Sequence, residues 1–83
     1  MQQIQVTITA YGAVERLLPK DLKLEVAAQT AVAEVLSQVQ QAYPDAAQSI
    51  ERCACAIGED IIPRQQRLDH NTDLVLLSPV AGG

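Results

Sequence analysis

From Gln3 to Ala10 the chain alternates strictly, with Ile4, Val6, Ile8 and Ala10 on one face and Gln3, Gln5, Thr7 and Thr9 on the other. A period of two is that of a β-strand with one face buried and one wet. A segment around Glu15, Leu17 and Leu18 can form a single helical turn, and Pro19-Lys20-Asp21 supplies turn chemistry. The alternation then returns at Leu22, Leu24 and Val26, so a second strand is expected to pair with the first as a hairpin. From Thr30 the period changes. Val32, Val35, Leu36, Val39 and Tyr43 recur at the 3.6-residue spacing of an amphipathic helix, with Thr30 as its candidate N-cap and Pro44 as its stop. Glu34, Ser37, Gln38, Gln40 and Gln41 lie on the opposite side and are expected to face solvent.

Beyond Pro44 the patterns shorten. Asp45 to Arg52 reads as irregular, Cys53 to Ile57 as a short strand, Gly58-Glu59-Asp60 as a turn, and Ile61-Ile62 as a further strand ended by Pro63. Arg64 to Asp73 is polar and loop-like, anchored by Leu68, and Leu74 to Leu77 is the apolar run of a central strand buried on both faces. The order predicts an α+β fold in which a mixed sheet of about five strands packs on one main helix. A β-grasp, ubiquitin-like arrangement is the compact solution. A ferredoxin-like fold needs a second full helix, which Asp45 to Arg52 is too short to supply. Residues 1–83 are expected to form a single domain.

Composition narrows the function classes. With 48% hydrophobic and 19% charged residues the chain is of folding rather than disordered composition, and without Phe or Trp its core must be aliphatic. A net charge of −4 and a pI of 4.6 have the wrong sign for neutralising phosphates, so no nucleic acid is expected as a partner. No apolar run reaches the ~20 residues that cross a bilayer, and the first residues carry no signal-peptide pattern. The expectation is a cytoplasmic protein with no membrane association. Cys53 and Cys55 stand two apart along one strand, a spacing that strains a mutual disulfide and fits a reducing compartment.

Side chains offer little catalytic chemistry. His70 lies between Asp69 and Asp73 in a polar turn, with no serine or cysteine placed as its nucleophile. Cys53, Cys55 and His70 lack zinc-type spacing, so no metal is expected and the thiols are read as buried and inert. The C-terminus is different. The chain closes on Ser78-Pro79-Val80-Ala81-Gly82-Gly83, and two terminal glycines arise by chance only about 0.5% of the time. Pro79 lacks an amide hydrogen and so ends a sheet ladder, leaving residues 79–83 as a flexible tail that reaches about 17 Å. Ala81, Gly82 and Gly83 have small or no side chains and can thread a narrow channel. The α-carboxylate of Gly83 at the tip is a poor electrophile until AMP is attached to it. The resulting acyl-adenylate is open to attack by a persulfide, thiol or amine.

These residues resemble a known family. Leu76-Leu77-Ser78-Pro79-Val80-Ala81-Gly82-Gly83 is similar to the apolar pair followed by Pro-Pro-Val-x-Gly-Gly of the MoaD family, the ubiquitin-like small, sulfur-carrying subunits of molybdopterin synthase. The early strand into Ala10-Tyr11, the helix after Thr30, and Leu68 before an acidic turn extend the resemblance across the chain. Ser78 departs from the family's first proline, which implies a less stiff tail root, and Asn71-Thr72-Asp73 stands where the family has Asp-Gly-Asp.

The resemblance implies a non-catalytic carrier with no bound cofactor. An E1-like activating enzyme of the MoeB type would use ATP to adenylate Gly83, and a sulfurtransferase would convert it to a thiocarboxylate. A MoaE-like large subunit, paired with the chain in a heterotetramer, would supply the catalytic residues and pass the sulfur to a pyranopterin to build the molybdopterin dithiolene. Pro79, Val80, Ala81 and Gly82 would guide the tail, and Leu76 and Leu77 would contribute to partner binding. The alternatives are a ThiS-like sulfur carrier for thiazole and thiamine synthesis, a carrier for other sulfur chemistry, a ubiquitin-like modifier of lysines, and a pure interaction module.

Overall fold

A computed structural model of the chain describes residues 2–79. Strand β1 (Gln3–Tyr11) leads through a 3-10 turn (Ala13–Leu17) into β2 (Leu22–Ala27), and a two-residue strand β3 (Thr30–Ala31) precedes helix α1 (Val32–Ala42). A second 3-10 turn (Pro44–Ala46) runs into α2 (Ala47–Arg52), followed by β4 (Ala54–Ile57), β5 (Asp60–Ile62), β6 (Arg67–Leu68) and β7 (Thr72–Leu77). The main sheet has the order β2-β1-β7-β4-β5, and β3 pairs with β6 separately. β1 and β7 run parallel while the β1–β2, β4–β7 and β4–β5 pairs are antiparallel. This is the expected β-grasp, ubiquitin-like architecture, a mixed five-stranded sheet wrapped on a helix.

Register explains the core. Ile4, Val6 and Ile8 of β1 stand opposite Val26, Leu24 and Leu22 of β2. On the other side of β1, Ile8 and Ala10 stand opposite Leu74 and Leu76, and Leu76 in turn faces Cys55. These rows lie on the sheet face that takes the helix, where Val32, Val35, Leu36 and Val39 are buried. Burial of aliphatic area is therefore the main stabilising term, worth about 1.5–3 kcal/mol per fully buried side chain. Thr72 is the one buried polar side chain among the described residues, and its hydroxyl donates to the His70 carbonyl at 2.7 Å.

Four local expectations are corrected. Thr30 does not cap α1: it pairs with Leu68, its hydroxyl donates to the Ala27 carbonyl at 2.6 Å, and Ala31 occupies the N-cap position. The first α1 amides are satisfied instead by chain from the β5–β6 region, Val32 N–H by the Gln66 carbonyl and Ala33 N–H by the Arg64 carbonyl, both at 2.9 Å. Asp45 to Arg52 is ordered as a 3-10 turn and α2, with Ala46 and Ile50 buried. The Arg64 guanidinium closes the end of α2 by donating to the carbonyls of Ile50 (2.7 Å), Glu51 (3.2 Å) and Cys53 (2.9 Å). Gln40, expected to be solvated, donates to the Ala47 carbonyl at 2.9 Å and ties α1 to α2. Finally, β7 is buried on one face only, because Val75 and Leu77 remain half-exposed on the side away from the helix.

The altered turn before β7 has its own explanation. None of Asn71, Thr72 and Asp73 takes a positive φ, so this chain requires no glycine there. The Asn71 side-chain oxygen instead accepts the Gln5 N–H at 2.8 Å. No helix among the described residues is long and apolar enough to cross a membrane.

Leu74 lies at the centre of the core with no solvent exposure. Leu74→Ala is expected to cost about 2–5 kcal/mol, read as a lower urea midpoint, whereas Ile61→Ala on the open face is expected to cost less than about 1 kcal/mol. Equal losses at the two positions would contradict this division of the sheet.

Candidate functional site

The site is built around the end of β7. Parallel pairing brings Leu77 beside Tyr11, and the ladder continues one residue further as the Ser78 N–H donates to the Tyr11 carbonyl at 3.1 Å. The Ser78 hydroxyl oxygen accepts the Val14 N–H at 3.0 Å. That amide belongs to the first turn of the Ala13–Leu17 segment, so the serine acts as a cap supplied from the far end of the chain. Gly12 makes the approach possible. Its φ of +88° is outside the range of ordinary side chains, and a Cβ there would lie 2.7 Å from the Ser78 Cβ. Ser78 is thus held at the tail root by two hydrogen bonds and close packing. Pro79 follows, exposed, and the described chain ends there. Val80, Ala81, Gly82 and Gly83 lie outside the described residues.

Alternation separates the two leucines. Leu76 is 0% exposed and belongs to the core, so its expected partner-binding role is corrected. Leu77 points to the open face of the sheet, half-exposed, in a row with Tyr11 and Ala54. The next row on that face is Thr9, Val75, Ala56 and Ile61. Tyr11 is 54% exposed and Ile61 65%, so the open face beside the tail root is an apolar patch. Tyr11, Val75 and Ile61 were not singled out in the sequence as site residues, because the patch is assembled by register from four strands. The alternation of β1 alone could have flagged Tyr11, as the position after Thr9 on the polar face.

The other candidates do not join this site as reactive groups. Cys53 and Cys55 are both buried free thiols. The Cys53 thiol donates to the Ser49 carbonyl at 3.1 Å and lies 3.9 Å from the Ser78 hydroxyl. Burial pushes the Cys53 thiol up from its ordinary value of 9.0, against the opposing effects of the Ser78 hydrogen bond and the Arg64 charge. Burial likewise pushes Cys55 up, with Arg64 opposing and Cys53 adding to the rise. Both are protonated at neutral pH and are poor nucleophiles. His70 Nδ1 and Asp69 Oδ1 lie 2.6 Å apart in an exposed turn. Among the described residues, no three His, Cys, Asp or Glu side chains are grouped to hold a metal ion.

The arrangement is a tail root held at Ser78, with Pro79 as the last described residue, beside an open apolar face. Comparison with known proteins bears on this arrangement. The ThiS family profile matches residues 9–83. Among solved structures, small archaeal modifier protein 1 of Haloferax volcanii superposes with a TM-score of 0.80 at 10% identity, covering 93% of this chain and 99% of that one. A putative molybdopterin converting factor subunit 1 from Pyrococcus furiosus gives a TM-score of 0.79 at 10% identity, covering 93% and 99%. In the complex of subunits 1 and 2 of molybdopterin-converting factor from Helicobacter pylori, the matching chain gives a TM-score of 0.62 at 18% identity, covering 96% and 100%. A comparison with curated proteins found no match.

The thiols supply a direct check on the burial around the tail root. Because each has a higher pKa folded than unfolded, its contribution to stability is intact below the ordinary value of 9.0 and is lost as the pH rises above it. Labelling of the native chain at pH 8 with a thiol reagent is expected to be slow, accelerating for both cysteines together with unfolding in denaturant. Rapid labelling of either cysteine under native conditions would contradict its placement.

Proposed function

The chain belongs to the ThiS family of ubiquitin-like sulfur carriers, and on that premise we propose that it is the small subunit of a molybdopterin synthase, donating sulfur from Gly83 in the cytoplasm. The observation that carries this reading is the fixed tail root at Ser78-Pro79, at the end of a central strand and beside the exposed apolar patch of Tyr11, Leu77 and Ile61. A partner that covers the patch lies beside Pro79, where the described chain ends. The approach sequence Pro79-Val80-Ala81-Gly82-Gly83 favours the molybdopterin reading over thiazole synthesis.

The chemistry starts from an unreactive carboxylate. On a MoeB-type activating enzyme, a Gly83 carboxylate oxygen attacks the α-phosphorus of ATP, and the bond to pyrophosphate breaks. A persulfide held by a sulfurtransferase then attacks the acyl carbon and AMP leaves, forming an acyl disulfide. A second thiol attacks the transferase's sulfur, releasing the Gly83 thiocarboxylate and leaving a disulfide behind. In the MoaE-like subunit the thiocarboxylate sulfur bonds to a carbon of a cyclic pyranopterin monophosphate, and water then hydrolyses the resulting thioester, leaving the sulfur on the pterin and Gly83 as carboxylate. This chain contributes the reacting terminus and the docking face. The large subunit contributes the catalytic side chains.

A thiazole-synthesis carrier is the second reading, favoured by the name of the matching family. The two separate when thiocarboxylated chain is offered in parallel to a MoaE-like subunit with the pyranopterin and to a thiazole synthase with its own substrates. Dithiolene formation with the first and none with the second is expected, and the reverse result would overturn the molybdopterin assignment. Deleting Gly83 is expected to abolish transfer in either system. Leu77→Ala is expected to weaken docking to the large subunit about tenfold, as truncation of an interface anchor does, with the chain still folded by circular dichroism. Unchanged affinity would remove Leu77 from the docking face.

A further inference from the structure

Building on the sulfur-carrier reading, we infer that Ser78, seated against Gly12, is a positioning residue for C-terminal activation: it latches the tail root so that Gly83 is presented to the activating enzyme from a fixed point. Three independent features converge on this residue. Its N–H extends the parallel β1–β7 ladder to the Tyr11 carbonyl. Its hydroxyl oxygen takes the Val14 N–H, which sits in the first turn of a 3-10 segment with no cap from its own neighbours. Gly12 holds a φ of +88° and a ψ of −149°, a conformation open essentially to glycine alone, and leaves no room for a Cβ beside Ser78.

A proline at position 78 would supply neither the N–H nor the hydroxyl. The serine therefore replaces intrinsic stiffness with a docked stiffness that depends on its two partners. The consequence for function is entropic. With the latch closed, the backbone is held through Ser78. Pro79 adds a fixed φ, so two consecutive residues at the root are constrained. An enzyme that engages the chain up to Gly83 pays to order each residue it holds, and the latch has already ordered one. Opening it raises the concentration of chain needed for activation and leaves the bond-making step alone.

The test compares the wild-type full chain with Ser78→Ala and Gly12→Ala. Hydrogen exchange at the Val14 amide reports the latch, and ATP-dependent pyrophosphate release by an activating enzyme of the class proposed above reports function. In Ser78→Ala, which removes the hydroxyl and keeps the N–H to the Tyr11 carbonyl, exchange at Val14 is expected to accelerate and the KM for the chain to rise about fivefold, the worth of one hydrogen bond of ordinary strength, with kcat retained. Gly12→Ala, if folded, is expected to give the same pattern by displacing Ser78 sterically. Faster Val14 exchange with an unchanged KM would overturn the inference and leave the carrier reading standing, because the serine would then be structural only. A loss of kcat with KM unchanged would also overturn it. Wild-type chain that releases no pyrophosphate, under conditions that activate an established carrier, would remove the carrier reading and the inference with it.

Discussion

The parallel pairing of β1 with β7 is the contact on which the rest of the structure depends. It joins the first and last strands of the chain at the middle of the sheet, with Val6 to Tyr11 in register with Thr72 to Leu77. Closing so long a loop is entropically costly, and the return comes from the aliphatic rows that the register aligns under α1. β2 then extends the sheet on one side and β4 with β5 on the other. The same pairing carries the C-terminal chain to the Gly12 turn, where Ser78 can reach the Val14 amide. Stability and the placement of Ser78 are thus consequences of one register.

That register also sets a division of labour between the two faces. A shift of one residue in β7 would exchange Leu76 for Leu77 in the core and reverse every position on both faces. As it stands, the helix-facing side takes Leu74 and Leu76, and the open side takes Val75 and Leu77. The open side is left apolar beside the tail and polar at the far end, where Gln5, Glu25, Thr7 and Lys23 pair across β1 and β2. Water covers the polar end at no cost. The apolar end is the part a partner can cover with gain.

Periodicity made the main elements legible in the sequence. β1, β2 and α1 are visible because each repeats its pattern over several residues, and the terminal strand because of its apolar run from Leu74 to Leu77, and their order is enough to point to a β-grasp. The elements that were missed are short or are held from a distance. α2 buries little beyond Ala46 and Ile50, and its C-terminal carbonyls are satisfied by Arg64 from the far side of β4 and β5. Thr30 looked like a cap, but Leu68 draws it into a two-residue ladder that no local pattern announces. The site was half legible. The Gly-Gly end was conspicuous as sequence, whereas the latch at Ser78 requires Gly12 and Val14, more than sixty residues away in the chain. Similarly, the apolar patch exists only once β1, β7, β4 and β5 are in register.

In the proposed function the chemistry resides in the carboxylate of Gly83, and the folded body serves to present it. Intact mass measurement tests this most directly, after incubation of the chain with ATP, a MoeB-type enzyme and a sulfur donor. The account predicts a mass gain equal to the replacement of one oxygen by sulfur, localised to Gly83 and absent from a chain lacking that residue. An unchanged mass, with no adenylate under conditions that activate an established carrier, would contradict it.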